Sequence, residues 1–313
     1  MNLEQLRGFV EIAEVGTFTR AADRLHLAQP SLSRQISTLE RELGSDLFHR
    51  ARGHITLTAA GETLLPYARR ILADADAVRR EMAEIAGLRR GRVRLGAPPS
   101  LCASLVTEVV SAFHASYPGI ELEITERGSR GLTAALAEGA LDLALVTSSG
   151  PGAAAQASLE RLSLHTEVLL TEELVVVSSA AEPVLTGGSS IALAQVARLP
   201  LIAFPRSYDL RATTDAAFAA AGCEPSIIVE GPEMDTVLRF VERGMGVAVV
   251  PDMVRLGRPG LRAMPLTPPG MTRTVLLAHR ADVRPSRAAA ALRAAIVSTA
   301  DELAASGAFV TRA

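Results

Sequence analysis

The stretch from residue 64 to 85 constrains this chain most. Leu64, Ala68, Ile71, Ala75, Val78, Met82 and Ile85 recur at alternating intervals of four and three, an apolar repeat that keeps to one stripe of a helix. A single helix cannot bury such a stripe against itself. The small members, Ala68 and Ala75, suit close approach of a second helix, while Arg69, Asp76, Arg79 and Arg80 mark the opposite side. Read as one helix from Thr58 to Gly87, the segment predicts a homodimer with those seven apolar residues as its seam. The alternative is a helix packed on its own domain, and the Gly-Arg run that follows it, Gly87 to Gly91, favours pairing with another chain. Pro66 falls inside the pattern and is expected to bend its first turns.

Short elements precede that helix. Asn2 with Gln5 resembles a capping box, Leu3, Leu6, Val10 and Ala13 make one apolar stripe, and Gly16 is a stop signal. A second helix follows Thr17 or Thr19 as cap and buries Ala21, Ala22 and Leu25. A third begins near Pro30, whose missing N–H is tolerated in a first turn, buries Leu32, Ile36, Leu39 and Leu43, and ends at Gly44. LFHRARGHITLT then reads as a small β-hairpin. Leu47 and Phe48 lead in, Arg50, Arg52 and Gly53 form the tip, and Ile55 and Leu57 return.

From Arg92 onward, short apolar runs alternate with helical patterns, which predicts a mostly parallel sheet. Strands are expected at Val93 to Gly96, Ile120 to Thr125, Leu141 to Thr147, Glu173 to Val177, Leu201 to Phe204, Ile227 to Glu230, Val247 to Val250 and Thr274 to His279. The long stretch holding GPGAAAQAS and the polar, Pro-rich ground from Pro265 to Gly270 suggest two crossings, hence two α/β lobes with a hinge and a cleft. The expected division is an N-terminal helical domain with a hairpin wing over 1–58, a linker and dimerisation helix over 59–90, and a two-lobed α/β domain over 91–305. Lobe I takes about 91–162 and 267–305, and lobe II about 163–266.

Length supports this multi-domain reading, since 313 residues exceed a comfortable single core. All 32 basic residues are Arg, and the net charge of -2 means that any nucleic-acid site is a local patch, not a polycationic body. The acidic N-terminus lacks the basic start and apolar core of a signal peptide, and no apolar run reaches a membrane span, so a cytoplasmic location is expected. Cys102 and Cys223 stand far apart without a Cys/His cluster, which predicts reduced thiols and no metal. Gly244-Met245-Gly246-Val247 lacks the spacing of a phosphate-binding loop and reads as a tight helix-to-strand turn, so no cofactor is expected.

The second and third helices, FTRAADRLHLAQPSLSRQISTLERELG, raise the functional question. A DNA-recognition helix packs one face on its own domain and offers the start of its other face to the major groove. Gln29 can pair with adenine, Arg34 with guanine or phosphate, and Ser31 and Ser33 with phosphate, with Ser37 and Thr38 a turn further on. Arg50 and Arg52 of the hairpin could reach backbone or minor groove. Alone, such a hairpin of helices is common in proteins that bind no DNA. The Arg-tipped wing and the dimerising helix change this, because two such helices held in a dimer meet half-sites about one helical turn, ~34 Å, apart.

FTRAADRLHLAQPSLSRQISTLERELGSDLFHR, followed by LTAAGETLLPYARRIL, resembles the N-terminal signature of LysR-type transcriptional regulators, and the similarity of organisation extends over essentially the whole chain. The resemblance implies a winged helix-turn-helix, a dimerising linker helix and an effector domain of two α/β lobes like those of periplasmic binding proteins, assembled as a tetramer. It places Gln29, Pro30, Ser33, Arg34, Arg50 and Arg52 on DNA-contacting positions. One departure is Ala28 before Gln29-Pro30, where the family often has Ser or Thr. Loss of that cap costs about 1 kcal/mol unless something replaces it. GRVRLGAPPSL and LPLIAFPRSYDLRATTDAAFAAAG are similar to the sub-group of nitrogen-assimilation regulators, which does not identify the effector.

For the effector, Ser100, Leu101 and Cys102 fall at a strand-to-helix turn, where free N–H groups and the helix dipole favour an anion. Thr147 and Ser148 end another strand, and Phe204, Pro205 and Arg206 end one in the second lobe, so all could converge at the carboxyl edges of the sheet. A small carboxylate-bearing or otherwise polar metabolite is the expected effector. The alternative is that Ser100 and Thr147 merely cap turns and Arg206 is a surface charge. The expected function is an effector-responsive transcription factor with promoter DNA, an effector, its own copies and RNA polymerase as partners. Its rivals are a two-lobed binding protein or enzyme with assembly helices, and an architectural DNA-bound dimer. No Ser/His/Asp order, metal cluster or carboxylate pair stands out, so an enzyme is not expected.

Overall fold

The computed structural model describes residues 1–51, 54–85, 91–149, 156, 157, 159–185, 188–231, 233–306 and 310–312. The chain forms two compact units, residues 1–88 with 137–140, and residues 89–136 with 141–313.

In the first unit, α1 (Leu3–Val15) starts from a reciprocal cap. Gln5 N–H donates to Asn2 Oδ1 at 2.9 Å, and Asn2 N–H donates to Gln5 Oε1 at 2.8 Å. The helix stops at Gly16, whose φ of 73° is open to glycine without strain. Its buried side is not the expected stripe: Leu6, Phe9 and Ile12 are buried, while Leu3, Val10 and Ala13 flank them. Gly8 is the reason. A Cβ there would stand 2.6 Å from Leu32 Cδ1, so the third helix crosses α1 over Gly8 and draws the neighbouring side chains inward.

Helix α2 (Phe18–Arg24) is capped by Thr17, whose Oγ1 accepts Arg20 N–H at 3.3 Å, and buries Ala21 and Ala22. Helix α3 (Gln29–Leu43) buries Leu32, Ile36 and Leu39. Leu43, expected inside, is 42% exposed, because it is the last residue before the chain turns at Gly44. Strands β1 (Phe48–Ala51) and β2 (His54–Leu57) pair antiparallel, with Phe48 opposite Leu57. The Phe48 ring closes the core against Phe9 and Phe18, at centroid distances of 5.3 and 6.1 Å. Buried Glu40 takes Leu47 N–H at 3.0 Å and ties the end of α3 to this wing. Helix α4 (Ala59–Ile85) starts at Thr58, whose Oγ1 accepts Gly61 N–H at 3.1 Å, and carries Pro66 within it.

In the second unit, β3 (Gly91–Ala97) lies between β4 (Ile120–Glu126) and β5 (Leu143–Ser148), parallel to both. From β3 the chain enters α5 (Pro99–Leu101), a wider i to i+5 turn over Cys102–Val106, and α6 (Thr107–Ser116). Helix α7 (Ser129–Ala137) follows β4. After β5 comes β6 (Leu164–Ser179), then α8 (Leu193–Val196), β7 (Leu201–Ala203), α9 (Asp209–Ala220), β8 (Ile227–Glu230), α10 (Met234–Glu242), β9 (Ala248–Pro251) and β10 (Leu261–Pro265). The chain closes with β11 (Thr272–Arg280), α11 (Arg287–Ser306) and β12 (Val310–Arg312). Gly244 to Val247 makes the turn from α10 to β9, as expected.

The sheet is mixed, which corrects the parallel expectation. Strands β3, β4 and β5 are parallel, and so are β7 and β8. The β5–β11, β11–β6, β6–β9 and β6–β10 pairs are antiparallel. The cause is that β6 and β11 are the two passages between the apolar cores and run in opposite directions. Up to Glu173, β6 pairs with β11; from Leu174 it pairs with β9 and β10. The first crossing therefore lies inside β6. Residues 150–155 of GPGAAAQAS, where it was expected, lie outside the described residues. Leu143 and Leu145 of β5 enter one core with Val275 and Leu277, Ala144 and Val146 enter the layer behind with Leu276 and Ala278, and a separate core gathers Val175, Val177, Val237, Val241 and Val249. Alternation over two buried faces explains why these strands read as unbroken apolar runs.

Candidate DNA-reading face and effector cleft

On α3, Gln29, Pro30 and Arg34 are exposed, while Ser31, Ser33 and Thr38 are half-buried on the side away from Leu32, Ile36 and Leu39. The start of this helix resolves the difficulty posed by Ala28. No side chain caps it, yet Ser31 and Leu32 N–H both donate to Ala28 O, at 2.9 and 3.2 Å, and Pro30 has no N–H to satisfy. Only the Gln29 N–H is left to face outward, among the described residues. Arg34 Nε folds back on Pro30 O at 3.2 Å. Arg20, Arg34 and Arg41 have no carboxylate partner among the described residues, so positive charge survives on this face although the whole chain is slightly acidic. Arg41 escaped the sequence reading, although its distance of two helical turns from Arg34 was a usable signal. Arg52 and the side chain of Arg50 lie outside the described residues.

The apolar stripe of α4 divides. Ala68 is fully buried and Leu64 half-buried in the core of their own unit, joined by Leu65 and Leu72, so Ala68 is not on a surface offered to a partner. For Ala68 this corrects the expectation: from its first turns to about its middle the helix lies on α1, where Arg69 bonds Glu14 at 3.1 Å and Arg7 bonds Asp76 at 3.4 Å. What stays exposed is Tyr67 at 63%, Ile71 at 38%, Val78 at 58% and Met82 at 55%. Ala75 is half-buried between them, and the side chain of Ile85 lies outside the described residues. Tyr67 was missed, although it stands one turn before Ile71.

In the second unit, Ser100 and Thr147 come together, lining a cavity of about 20 Å³ with Gly128, Asp209, Met234 and Arg273 among others. That volume holds one or two waters. Cys102 lines a neighbouring hollow with Glu126, Glu233 and Asp235. Burial and the Glu126 carboxylate push the Cys102 thiol up to about 12. The remaining expected residues are elsewhere. Leu101 is in the core, and the N–H groups of Leu101 and Cys102 both donate to Pro98 O at 2.9 Å, so they are not free for an anion. Phe204 is buried in the other core and stacks on Tyr208 at 6.0 Å, Pro205 O accepts Tyr208 N–H at 3.0 Å, Ser148 faces Thr274 in the sheet, and Arg206 is exposed. These three, Ser148, Pro205 and Arg206, line neither space. The cation of the cleft is instead Arg273, 7% exposed, with Nε on Glu172 Oε1 at 2.7 Å. Burial pushes the Glu172 carboxyl up while the guanidinium beside it pulls it down.

Hydrogen bonds cross this cleft. Ser129 N–H donates to Asp209 Oδ2 at 2.8 Å, and the hydroxyls of Ser149 and Thr213 meet at 2.6 Å; within the first lobe, Thr147 N–H donates to Ser129 Oγ at 3.0 Å. Tyr208 O–H donates to Glu233 at 2.7 Å, and burial together with that carboxylate raises the phenol above its ordinary range.

Comparison with known proteins agrees with these two units. Residues 3–62 match the bacterial regulatory helix-turn-helix of the lysR family, and residues 86–301 match the LysR substrate binding domain. The nitrogen assimilation regulatory protein nac of Klebsiella aerogenes is 32% identical, over 80% of this chain and 79% of its own. A probable nitrogen assimilation transcriptional activator of Synechococcus elongatus is 31% identical, over 88% of each. Among solved structures, a full-length OxyR variant from Pseudomonas aeruginosa superposes with a TM-score of 0.70 at 28% identity, covering 95% of this chain and 94% of that one. Two matched domains that together span most of the chain, with relatives that are transcriptional regulators over four-fifths of its length, show that the chain belongs to the LysR family of DNA-binding transcriptional regulators.

Proposed function

We infer that α3 reads promoter DNA through Gln29, Ser33, Arg34 and Arg41, helped by Ser31, Thr38, Arg50 and Arg52. The exposed strip Tyr67, Ile71, Val78 and Met82 of α4 joins two such heads. A small effector enters the cleft lined by Ser100, Thr147, Asp209 and Arg273 and changes how the two lobes meet. On this reading the protein works in the cytoplasm, by binding and without catalysis, with the lobe boundary at Glu173–Leu174 in place of the position expected near residue 162. No helix among the described residues is long and apolar enough to cross a membrane.

The observation that carries the reading is that Arg34 and Arg41, on the outward side of a helix whose other side is buried, have no carboxylate partner among the described residues. Such arginines have room for phosphate or a guanine edge. Mobility shifts on the gene's own upstream DNA at several salt concentrations test it. Arg34→Ala is expected to weaken binding about tenfold or more and, if it releases one phosphate contact, to lower the salt slope by about one. Wild-type affinity with an unchanged slope would refute the assignment.

A further inference from the structure

One of the chain's own carboxylates closes the cleft. Asp209, at the start of α9, sets Oδ2 on the N–H of Ser129, the first residue of α7, at 2.8 Å. A helix start is where N–H groups and the dipole favour a carboxylate. Around it, Ser129 Oγ receives Thr147 N–H at 3.0 Å and lies 3.2 Å from Thr147 Oγ1. Arg273 lines the same cavity. Its Nη2 stands 2.6 Å from Glu172 Oε1, the same oxygen that takes Nε, so a single carboxylate oxygen meets two nitrogens of the guanidinium. A guanidinium held that way has N–H donors left over, and a second carboxylate is their natural partner.

Negative charge collects next to this seat. Glu126, Glu233 and Asp235 line the neighbouring hollow, which shares Pro99 and Met234 with the cavity. Arg258 there is already engaged by Asp235 and Glu242. Burial, followed by the charges of Glu233 and Asp235, pushes the Glu126 carboxyl up, and no Arg forms an ion pair with it among the described residues. Side by side, then, stand an anion seat with an unused donor and a surplus of acid.

From this juxtaposition we propose that the cleft takes a small amino-carboxylate, whose carboxylate displaces Asp209 from Ser129 and turns to Arg273 while its ammonium meets Glu126 and Glu233. The proposal rests on the effector reading above and names the chemistry of the ligand. Asp209 is then an internal competitor. Because it belongs to α9 and Ser129 to α7, displacing it changes the contact between the lobes themselves.

Calorimetry on the full chain with glycine, acetate and methylammonium tests this. Wild type is expected to bind glycine at least tenfold tighter than either single-charge probe. Asp209→Ala is expected to tighten glycine tenfold or more, and Asp209→Asn, which keeps the shape, to tighten it in the same direction. Glu126→Gln together with Glu233→Gln is expected to shrink the preference of glycine over acetate below threefold. Equal affinity for glycine and acetate in wild type, glycine binding unchanged in both Asp209 variants, or no binding of any probe overturns the proposal. Footprinting the same samples separates the two levels. A wild type that holds promoter DNA but ignores all three probes sinks the ligand assignment alone, whereas one that holds no promoter DNA sinks the regulator reading with it.

Discussion

Val78→Asp tests the linker helix at its most exposed aliphatic position. Tyr67, Ile71, Val78 and Met82 are 63%, 38%, 58% and 55% exposed, so about half of each apolar surface remains to be buried. Full burial of such side chains is worth about 1.5–3 kcal/mol, so each recovers roughly 1 kcal/mol in a seam. In a symmetric pair every substitution counts twice. Val78→Asp removes about 2 kcal/mol of burial, and two carboxylates facing one another across water at ~4 Å add about 1 kcal/mol. The sum of about 3 kcal/mol weakens association on the order of 100-fold. Sedimentation of the full chain should show the assembly falling to half its wild-type mass where wild type is intact. Val78→Ala, which loses burial alone, should weaken it by a smaller factor. Ala68→Asp should act differently: Ala68 is fully buried, so the expected result is a lowered Tm of the N-terminal unit rather than a soluble half-size species. If Val78→Asp keeps its wild-type mass on dilution, the exposed strip of α4 is not the seam.

Three further outcomes are expected. Ala28→Ser supplies the missing side-chain acceptor at the start of α3 and should raise stability by about 1 kcal/mol, read as a Tm rise of a few degrees; no change would mean that Ala28 O and Pro30 already complete the start. Cys102, with its thiol pushed up to about 12, should resist alkylation by iodoacetamide in the native protein at pH 8, and rapid labelling would contradict the burial that protects it. Burial lowers the His279 pKa below 6.5, so folding releases a proton there; stability from this group is present above pH 6.5 and lost as pH falls below it. Chemical denaturation between pH 5 and 7 should show that slope in wild type and a flatter one in His279→Phe.

Much of the N-terminal unit was legible because local rules decide it. The Asn2–Gln5 cap, the stops at Gly16 and Gly44 and the hairpin over 48–57 need only nearby residues. The buried side of α1 was not legible, since it depends on α3 crossing at Gly8, a tertiary event. The same holds for α4: a 3.5-residue repeat marks a stripe but not which half of it meets the helix's own domain, and Ala68 went one way while Val78 went the other. In the second unit, Leu164 to Glu172 was missed as strand because Thr166, Glu167, Thr171 and Glu172 break its apolar run, and buried Glu172 is partnered by Arg273, a hundred residues away in sequence. The cleft suffered most. Arg206 looked like the cation because it follows a strand, whereas Arg273 sits within β11 and is brought there by the antiparallel return of that strand.

The central claim is that two copies of α3, held by α4, form one symmetric reading head. A hydroxyl-radical footprint of the full chain on its own promoter tests it directly, with wild type and Val78→Asp side by side. The account predicts two protected patches centred about one helical turn, ~34 Å, apart for wild type, and their loss in the variant at the same protein concentration. A single patch for wild type, or an identical paired footprint from both proteins, would contradict it.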